Sequence, residues 1–210
     1  MRYQRQTVIV NYGMGNLGSV ENALRLLQAN FLTTNRQEDI RRADAVILPG
    51  VGAFGAAMEN LRRLRLIDAL TELVLGRRKP YLGICLGMQI LAHDSEEQGF
   101  FPGLGWVDGH VTRLAPADEL RVPHVGWNDI AIREKTPLLA RIGEAAHFYF
   151  DHSFHLQCPP EVVTASADYG GEIVAAIRKD NIFATQFHPE KSQRNGLKLL
   201  RNFLNHAEEA

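Results

Sequence analysis

The segment Gly83-Ile84-Cys85-Leu86-Gly87-Met88-Gln89 marks a change from one hydrophobic pattern to another. Residues 80–84 form a continuous apolar run, which predicts a buried strand. Residues 86–92, which follow, predict the start of a helix. A strand, a sharp turn and a helix in this order are typical of α/β proteins that carry a nucleophile on the turn.

Cys85 is the candidate nucleophile on this turn. A residue whose side chain is held above the sheet in this way has a strained backbone, and the residues two positions before and after it must be small. Gly83 and Gly87 meet that requirement. The positive end of the following helix favours the thiolate of Cys85, which is the attacking species. The N–H of Leu86 is a candidate oxyanion-hole donor. A buried, inert cysteine beside packing glycines is the alternative.

A second segment, Gln186-Phe187-His188-Pro189-Glu190-Lys191, supplies a base and a group to orient it. In an extended chain, residues i and i+2 project to the same side, so Glu190 can reach His188. Pro189 has no N–H and ends strand pairing, which leaves both side chains free. A simple turn is the alternative for this segment alone. Together the two segments predict a triad of Cys85, His188 and Glu190.

The rest of the chain alternates short apolar runs with helical patterns. Strands are predicted at residues 7–10, 43–48, 146–150, 162–167, 173–177 and 182–187. Helices are predicted at residues 53–63, 66–76 and 195–206, and around the series Val20, Ala23, Leu24 and Leu27. Residues 101–132 instead favour antiparallel strands and turns. The expected fold class is α/β, with a mostly parallel central sheet flanked by helices and a smaller antiparallel sheet, in one domain over residues 1–210.

The composition favours a globular protein without a strongly charged binding surface. The 210 residues include 23 basic and 24 acidic side chains, so there is no electrostatic case for nucleic-acid binding. The two cysteines, Cys85 and Cys158, form no disulfide framework. No apolar run is as long as a membrane span, and residues 1–6 lack the character of a signal peptide. We therefore expect a cytoplasmic location, where Cys85 stays reduced.

A competing motif lies near the start of the chain. Gly13-Met14-Gly15-Asn16-Leu17-Gly18 is a literal G-x-G-x-x-G between a predicted strand and a predicted helix, as in dinucleotide-binding proteins. Such proteins carry an acidic residue about 20 positions later, which holds a ribose hydroxyl. Thr33-Thr34-Asn35-Arg36 stands there instead, although Arg36 could bind the phosphate of NADP. An NADP-binding module therefore stays open, and binding of labelled NADP would test it.

The segments around Cys85 and His188 resemble those of class I glutamine amidotransferases, whose glutaminase domains carry a Gly-x-Cys-x-Gly turn and a His-Pro-Glu. The likeness is closest to the glutaminase subunits of imidazole glycerol phosphate synthases. It rests on Asn11-Tyr12-Gly13-Met14-Gly15-Asn16-Leu17, Leu48-Pro49-Gly50-Val51-Gly52-Ala53-Phe54, Pro123-His124-Val125-Gly126-Trp127-Asn128, and residues 186–193 with Gly196-Leu197. These segments run from the first strand to the last helix. The resemblance implies a flavodoxin-like sheet with a nucleophile elbow, and it explains the glycines of residues 13–18 as a close turn.

The resemblance also implies a reaction, the hydrolysis of glutamine to glutamate and ammonia through a cysteinyl thioester. Cys85 attacks the side-chain amide, His188 protonates the departing ammonia and later activates water, and Glu190 holds His188. The implied oxyanion hole consists of Val51, Gly52 and Leu86. The implied contacts of the bound glutamine are Gly52, Gln89, Ser153 and Phe154. Asp151 departs from the family, which has an apolar residue at that position.

The resemblance to glutaminase subunits of imidazole glycerol phosphate synthases also implies a partner. These subunits act with a cyclase subunit, a (β/α)₈ barrel that receives the ammonia. The cyclase forms imidazole glycerol phosphate, for histidine biosynthesis, and an aminoimidazole carboxamide nucleotide. The resemblance places His124, Trp127 and Asn128 at the partner interface, although the sequence favours a core position for Trp127 nearly as much. We expect the loop of residues 50–52 to be a switch that the partner turns. No cofactor or metal is implied, and His152-x-x-His155 lacks further ligands at metal spacing.

Three alternatives remain open on the sequence. The chain could be the glutaminase subunit of another synthase, a partner-binding subunit that has lost catalysis, or a different cysteine hydrolase on a similar scaffold. The presence of all three candidate triad residues disfavours the second of these. Turnover of glutamine would separate the first from the third.

Overall fold

An eight-stranded sheet forms the centre of the fold. The structure, a computed structural model, describes residues 3–117, 120–143 and 146–210. The strands are β1 Thr7–Val10, β2 Phe31–Thr34, β3 Ala45–Gly50, β4 Tyr81–Cys85, β5 Asp94–Ser95, β6 Phe101–Pro102, β7 His110–Arg113, β8 His124–Asp129, β9 Ala131–Ile132, β10 His147–His152, β11 Phe154–Gln157, β12 Val163–Asp168, β13 Glu172–Lys179 and β14 Ile182–Thr185. The helices are α1 Leu17–Leu26, α2 Gln37–Arg42, α3 Phe54–Arg63, α4 Leu66–Thr71, α5 Leu86–Gln89 and α6 Gln193–Glu209. Short 3₁₀ turns lie at Pro160–Val162 and Pro189–Lys191, and a π-helical turn, Glu72–Gly76, extends α4.

The order of the strands brings the predicted catalytic segments together. The central sheet runs β2-β1-β3-β4-β14-β13-β12-β9, in which the first five strands are parallel and the last three join antiparallel. Gly50 at the end of β3 pairs with Cys85 at the end of β4, and Thr185 at the end of β14 pairs with Ile84. In open α/β sheets, ligands bind outside the carboxyl ends of the parallel strands. The loop after β3, the turn after β4 and the segment after β14 therefore meet at one edge.

Two smaller sheets stand beside that edge. One consists of β8 and β10, which run antiparallel and pair His124 with His152 and Trp127 with Tyr149. The other has the order β11-β7-β5-β6, in which β5 and β7 run parallel and the other neighbours antiparallel. The end of β10 lies close to the nucleophile, because the carbonyl oxygen of Asp151 is 3.9 Å from Cys85 Sγ. The predicted α/β class, with a mostly parallel sheet and a smaller antiparallel part, is confirmed.

The core lies on both faces of the central sheet, because successive residues of a buried strand point to opposite sides. Ile9 and Leu82 pack on one side with α1 and α6, whereas Val8 and Tyr81 pack on the other side with α3 and α4. Strands buried on both faces have continuous apolar runs, which is why the sequence predicts them. Among the described residues, no helix is long and apolar enough to cross a membrane.

The helix after Cys85 is shorter than the pattern of residues 86–92 predicts, because α5 ends at Gln89 after a single turn. The carbonyl groups of Ile90, Leu91 and Ala92 accept hydrogen bonds from the N–H groups of residues 104–107. An apolar run indicates burial, but it does not determine which backbone partner the segment takes. A single turn carries a small part of a helix dipole, so the predicted contribution of this helix end is reduced.

Candidate active site

Cys85 lies on a strained turn between β4 and α5. Its φ of 53° and ψ of −107° fall outside the regions that most L residues adopt. A Cβ added to Gly83 would lie 2.4 Å from the carbonyl oxygen of Gly87, and one added to Gly87 would lie 1.8 Å from that of Leu48. Neither position has room for a larger residue. The two glycines therefore let the chain fold back tightly and hold the thiol at the end of the sheet.

His188 and Glu190 form a buried pair in the segment that follows β14. Their side chains are each 2% exposed, and His188 Nδ1 lies 2.8 Å from Glu190 Oε1. The prediction that an extended chain brings them together is wrong, because Pro189–Lys191 forms a 3₁₀ turn. Proline suits the first position of such a turn, where its missing N–H has no partner to lose. Ser192 Oγ donates to the carbonyl oxygen of His188 at 2.6 Å and holds the turn.

The groups around His188 hold its proton. Burial alone would lower the pKa of His188, but the charge and hydrogen bond of Cys85, together with those of Glu190, outweigh burial and raise it to about 10. Because Nδ1 faces Glu190, Nε2 is the nitrogen left for Cys85. The imidazolium form is therefore favoured near neutral pH, and Glu190 orients the ring so that Nε2 can pass a proton beside the sulfur.

Two glutamine side chains complete the surroundings of Cys85. Gln186 Nε2 lies 3.5 Å from Cys85 Sγ, and Gln186 Oε1 accepts from Gln89 Nε2 at 3.2 Å. Gln89 Nε2 also donates to the carbonyl oxygen of Phe154 at 2.8 Å. Gln186 was not predicted as a site residue. Its place directly after a strand that neighbours β4 is the signal that could have found it.

A cavity of about 300 Å³ opens beside Cys85. The lining residues are Val51, Gly52, Cys85, Leu86, Gln89, Glu97, Pro123, Asp151, His152, Ser153 and Phe154. They include every residue that the sequence analysis placed in the oxyanion hole or around the bound glutamine. His188 and Glu190 are not among them and lie behind the nucleophile. Glu97 and Asp151 also line the cavity, and neither was predicted in this role. Glu97 Oε2 accepts from the N–H of Phe54 at 2.7 Å, and Asp151 Oδ2 lies 3.4 Å from Lys191 Nζ, so each carboxylate keeps one oxygen for a ligand with a positive charge.

The loop after β3 occupies a narrow space. Gly52 has a φ of +115°, and a Cβ there would lie 2.7 Å from Met14 Cε. A Cβ on Gly50 would lie 2.4 Å from the hydroxyl oxygen of Tyr12. That hydroxyl is buried and has no hydrogen-bond partner among the described residues. The glycines thus let this segment pack tightly against Tyr12 and Met14. Val51 and Gly52 line the cavity, where an oxyanion hole requires backbone N–H groups.

Strand β8 presents two exposed apolar side chains, Val125 and Trp127, which are 53% and 50% exposed. Trp127 is therefore not a core residue. Asn128 is half-buried beside it, whereas His124 is 3% exposed and lies beneath this face. Of the three residues that the resemblance places at a partner interface, Trp127 and Asn128 reach the surface. Exposed aromatic side chains of this kind anchor protein interfaces.

The structure also bears on the two histidines of the His152-x-x-His155 segment. Among residues 3–117, 120–143 and 146–210, no group of three or more His, Cys, Asp or Glu side chains could hold a metal ion. His152 instead lies within hydrogen-bond distance of His124 and of the carbonyl oxygen of Phe154. This placement favours a structural role for His152 over a metal-binding one.

The G-x-G-x-x-G segment has a structural explanation. A Cβ on Gly15 would lie 3.3 Å from the carbonyl oxygen of Pro49, so glycine lets this turn approach the loop after β3. Arg36, the candidate for binding the phosphate of NADP, already pairs with Glu38 and Asp39. The close approach of Gly15 to Pro49 favours the close turn over the dinucleotide site, whereas the exposed ion pairs of Arg36 do not decide between them.

Comparison with known proteins agrees with this geometry. The profile of the family described as "Glutamine amidotransferase class-I" matches residues 8–207. "Imidazole glycerol phosphate synthase subunit HisH 2" of Vibrio vulnificus is 48% identical over 198 residues, which cover 94% of this chain and 92% of the relative. "Imidazole glycerol phosphate synthase subunit HisH" of Methanothermobacter thermautotrophicus is 47% identical over 199 residues, which cover 93% of this chain and 96% of the relative. A crystal structure of a glutamine amidotransferase from Thermotoga maritima has the same fold, with a TM-score of 0.72 over 100% of both chains at 16% identity. The resemblance is therefore confirmed, and the chain belongs to the class-I glutamine amidotransferase family.

Proposed function

We propose that this protein is the glutaminase subunit of an imidazole glycerol phosphate synthase. It hydrolyses glutamine and passes the ammonia to a cyclase subunit, which forms imidazole glycerol phosphate and the aminoimidazole carboxamide nucleotide in histidine biosynthesis. The observation that carries the proposal is the strained Cys85, with the buried pair of His188 and Glu190 behind it and a small cavity in front. Relatives named as HisH subunits over nearly the whole chain support the choice of synthase.

The cavity supports a free amino acid as the substrate. At about 300 Å³ it lies at the small end of the range of ligand sites. The carboxylates of Glu97 and Asp151 suit the α-ammonium group of glutamine, and Gln89 lines the same space. The carbonyl groups of Ser153 and Phe154 already accept hydrogen bonds within the protein. Contacts of these two residues with glutamine would therefore come from their other polar groups.

The proposed reaction uses the triad in two half-reactions. Cys85 Sγ forms a bond to the amide carbon of glutamine, and the carbon–nitrogen bond breaks as His188 Nε2 gives its proton to the departing ammonia. Nε2 then takes a proton from the water that attacks the thioester, which releases glutamate and restores the sulfur. Glu190 keeps the ring in place throughout. The N–H of Leu86 and those of the loop after β3 stabilise the oxyanion, where one such donor typically contributes about 10²–10³ in kcat.

The exposed face of Val125 and Trp127 is the proposed contact with the cyclase, and Asn128 lies on the other, half-buried side of the same strand. Adjacent exposed apolar side chains favour a protein interface at this strand. Pro123, the residue directly before this strand, lines the cavity, so a docked partner would lie close to the site where ammonia forms. We further propose one amidotransferase domain over residues 1–210, a cytoplasmic location, a loop of residues 50–52 that the partner switches, and no cofactor.

Glutamate release from glutamine tests the proposal. The assay compares this protein alone, with the matching cyclase subunit, and with the cyclase and its nucleotide, and Cys85→Ala is the control. We expect turnover to rise sharply with the loaded partner and to vanish in the control. No turnover under any of these conditions would contradict the proposed activity. Turnover that is the same with and without the cyclase and its nucleotide would contradict the choice of synthase.

A further inference from the structure

A second pair of histidines, His124 and His152, lies beside the cavity and has no part in the proposed reaction. They face each other across β8 and β10, with His124 Nδ1 3.1 Å from His152 Nε2. Both are buried, at 3% and 6% exposed. The ring of His124 is stacked between those of Phe150 and Tyr169, at centroid distances of 4.6 and 3.9 Å. The surrounding contacts therefore hold the pair in one arrangement.

The hydrogen bonds determine which nitrogen of each ring carries the proton. Burial lowers the pKa of His124 to about 4 and that of His152 to about 3, so both rings are neutral near pH 7. His152 Nδ1 lies 2.9 Å from the carbonyl oxygen of Phe154, which can only accept, so Nδ1 donates and Nε2 accepts. His124 Nδ1 must then donate to His152. The remaining nitrogen, His124 Nε2, accepts from Asn128 Nδ2 at 3.3 Å, so every ring nitrogen has a partner.

The series of hydrogen bonds continues to the nucleophile. The carbonyl oxygen of Phe154 has a second lone pair, which accepts from Gln89 Nε2 at 2.8 Å. Gln89 Nε2 gives its other hydrogen to Gln186 Oε1 at 3.2 Å, and Gln186 Nε2 lies 3.5 Å from Cys85 Sγ. Because both hydrogens of the Gln89 amide are used, its Oε1 is the atom left to contact a ligand. The half-buried Asn128 is thus linked to Cys85 by an unbroken series.

Packing alone does not explain this pair. Two apolar rings would fill the same space without the desolvation cost of four ring nitrogens. A polar network in which every member is satisfied instead specifies a single arrangement of its parts. Here the network ends on Gln89 and Cys85, which both line the cavity. Its other end is Asn128, next to the exposed Trp127.

We propose that His124 and His152 are positioning residues for the glutamine site. They hold the carbonyl group of Phe154, and through it the amide of Gln89, in the orientation that presents glutamine to Cys85. They also tie this orientation to strand β8, which carries the proposed partner face. The inference rests on the proposed glutaminase function.

The test compares two reagents that alkylate the same thiol in the complex of the full chain with its cyclase. A diazo-ketone analogue of glutamine must occupy the glutamine site, whereas iodoacetamide reacts with Cys85 without it, and mass spectrometry follows the modification of Cys85. His124→Phe keeps a stacked ring and removes the Nδ1 donor. We expect the rate with the glutamine analogue to fall about ten-fold, as for one lost buried hydrogen bond, and the iodoacetamide rate to change less than about two-fold.

Matched variants separate positioning from general damage to the fold. His124→Asn replaces a donor near the position of Nδ1 and should recover most of the lost rate. His155→Phe is the control, since it removes a partly buried histidine whose Nδ1 has no partner among the described residues, and both rates should stay unchanged. If His124→Phe does not fold, Asn128→Ala removes the donor at the half-buried end of the series. We expect it to lower only the rate with the analogue, by about three-fold.

Three results would overturn the assignment: equal losses with both reagents, an equal loss in His155→Phe, or no recovery in His124→Asn. The unaltered protein tests the proposed function separately. If its Cys85 shows no preference for the glutamine analogue, the proposed function fails. A preference that persists in every variant removes this inference alone.

Discussion

Replacing Glu190 with glutamine should make the stability of the protein less dependent on pH and should slow turnover sharply. The side chains of His188 and Glu190 are each 2% exposed, so solvent screens their interaction little. Glu190→Gln keeps an oxygen that can accept from Nδ1 and removes the charge. The pKa of His188 should therefore fall from about 10 towards its ordinary value of 6.5.

The sign and size of the effect follow from this difference in pKa. The pKa of His188 is higher in the folded protein than in the unfolded chain, so its stabilising contribution is fully present below pH 6.5 and is lost as the pH rises to about 10. At about 1.4 kcal/mol for each pKa unit, the gap between 6.5 and 10 sets an upper limit of about 5 kcal/mol. Cys85 and Glu190 share that contribution. Loss of the charge on Glu190 should remove about 1.5–3 kcal/mol of it, the usual contribution of a hydrogen bond to a charged group.

Urea unfolding at about pH 6 and about pH 9 measures this effect as a difference in the free energy of unfolding. The free energy should fall between the two pH values in the unaltered protein and should fall less in Glu190→Gln. Cys85→Ala, which removes the other group that raises the pKa of His188, should flatten the dependence as well. Turnover of glutamine by Glu190→Gln at neutral pH should be lower by about 10²–10⁴. An equal pH dependence in Glu190→Gln and the unaltered protein would refute the claim that Glu190 holds the proton of His188.

Three further substitutions test other parts of the account. Gly87→Ala should lower the free energy of unfolding by about 3 kcal/mol and abolish turnover, because the added Cβ would lie 1.8 Å from the carbonyl oxygen of Leu48; urea unfolding with a change under about 0.5 kcal/mol would contradict this. Tyr12→Phe should raise the free energy of unfolding by about 1 kcal/mol, because it removes a buried hydroxyl without a partner; a lower melting temperature would show that the hydroxyl is bonded in solution. Asp151→Ala should change the free energy of unfolding by less than about 1 kcal/mol, because the side chains of Asp151 and Lys191, which form an ion pair, are 39% and 27% exposed. It should nevertheless raise the KM for glutamine, because it removes a carboxylate from the cavity. An unchanged KM would mean that Asp151 does not contact the substrate.

Local patterns in the sequence predict the central sheet and the turn at Cys85. Four of the parallel strands, β1, β3, β4 and β14, are buried along their whole length and therefore have continuous apolar runs. The edge strand β2 is only partly buried and was not predicted. Helix α2 has no such signal, because Ile40 is its one buried residue in the described structure. Strand β11 buries only Leu156 fully among its described residues and depends on backbone pairing with β7, which the sequence analysis did not predict. Elements that form mainly through tertiary hydrogen bonds are hard to predict from the spacing of apolar residues.

The residues of the candidate site were likewise predicted only where a local motif carries them. Cys85, His188 and Glu190 follow from two short motifs, although the 3₁₀ turn that joins the last two does not. The contact of Gln186 with Cys85 spans 101 positions in the sequence, and that between His124 and His152 spans 28. These contacts depend on the order and register of strands, which no local pattern specifies.

The most direct test of the central claim follows the amide nitrogen of glutamine. The complex of this protein with its cyclase is given the cyclase nucleotide, glutamine with a heavy nitrogen isotope in its side-chain amide, and unlabelled ammonium in solution. If Cys85 releases ammonia that passes directly to the partner, the heavy isotope will appear in the imidazole ring of the product despite the unlabelled ammonium. Cys85→Ala should give only unlabelled product. Unlabelled product from the unaltered protein, or labelled product from Cys85→Ala, would contradict the account.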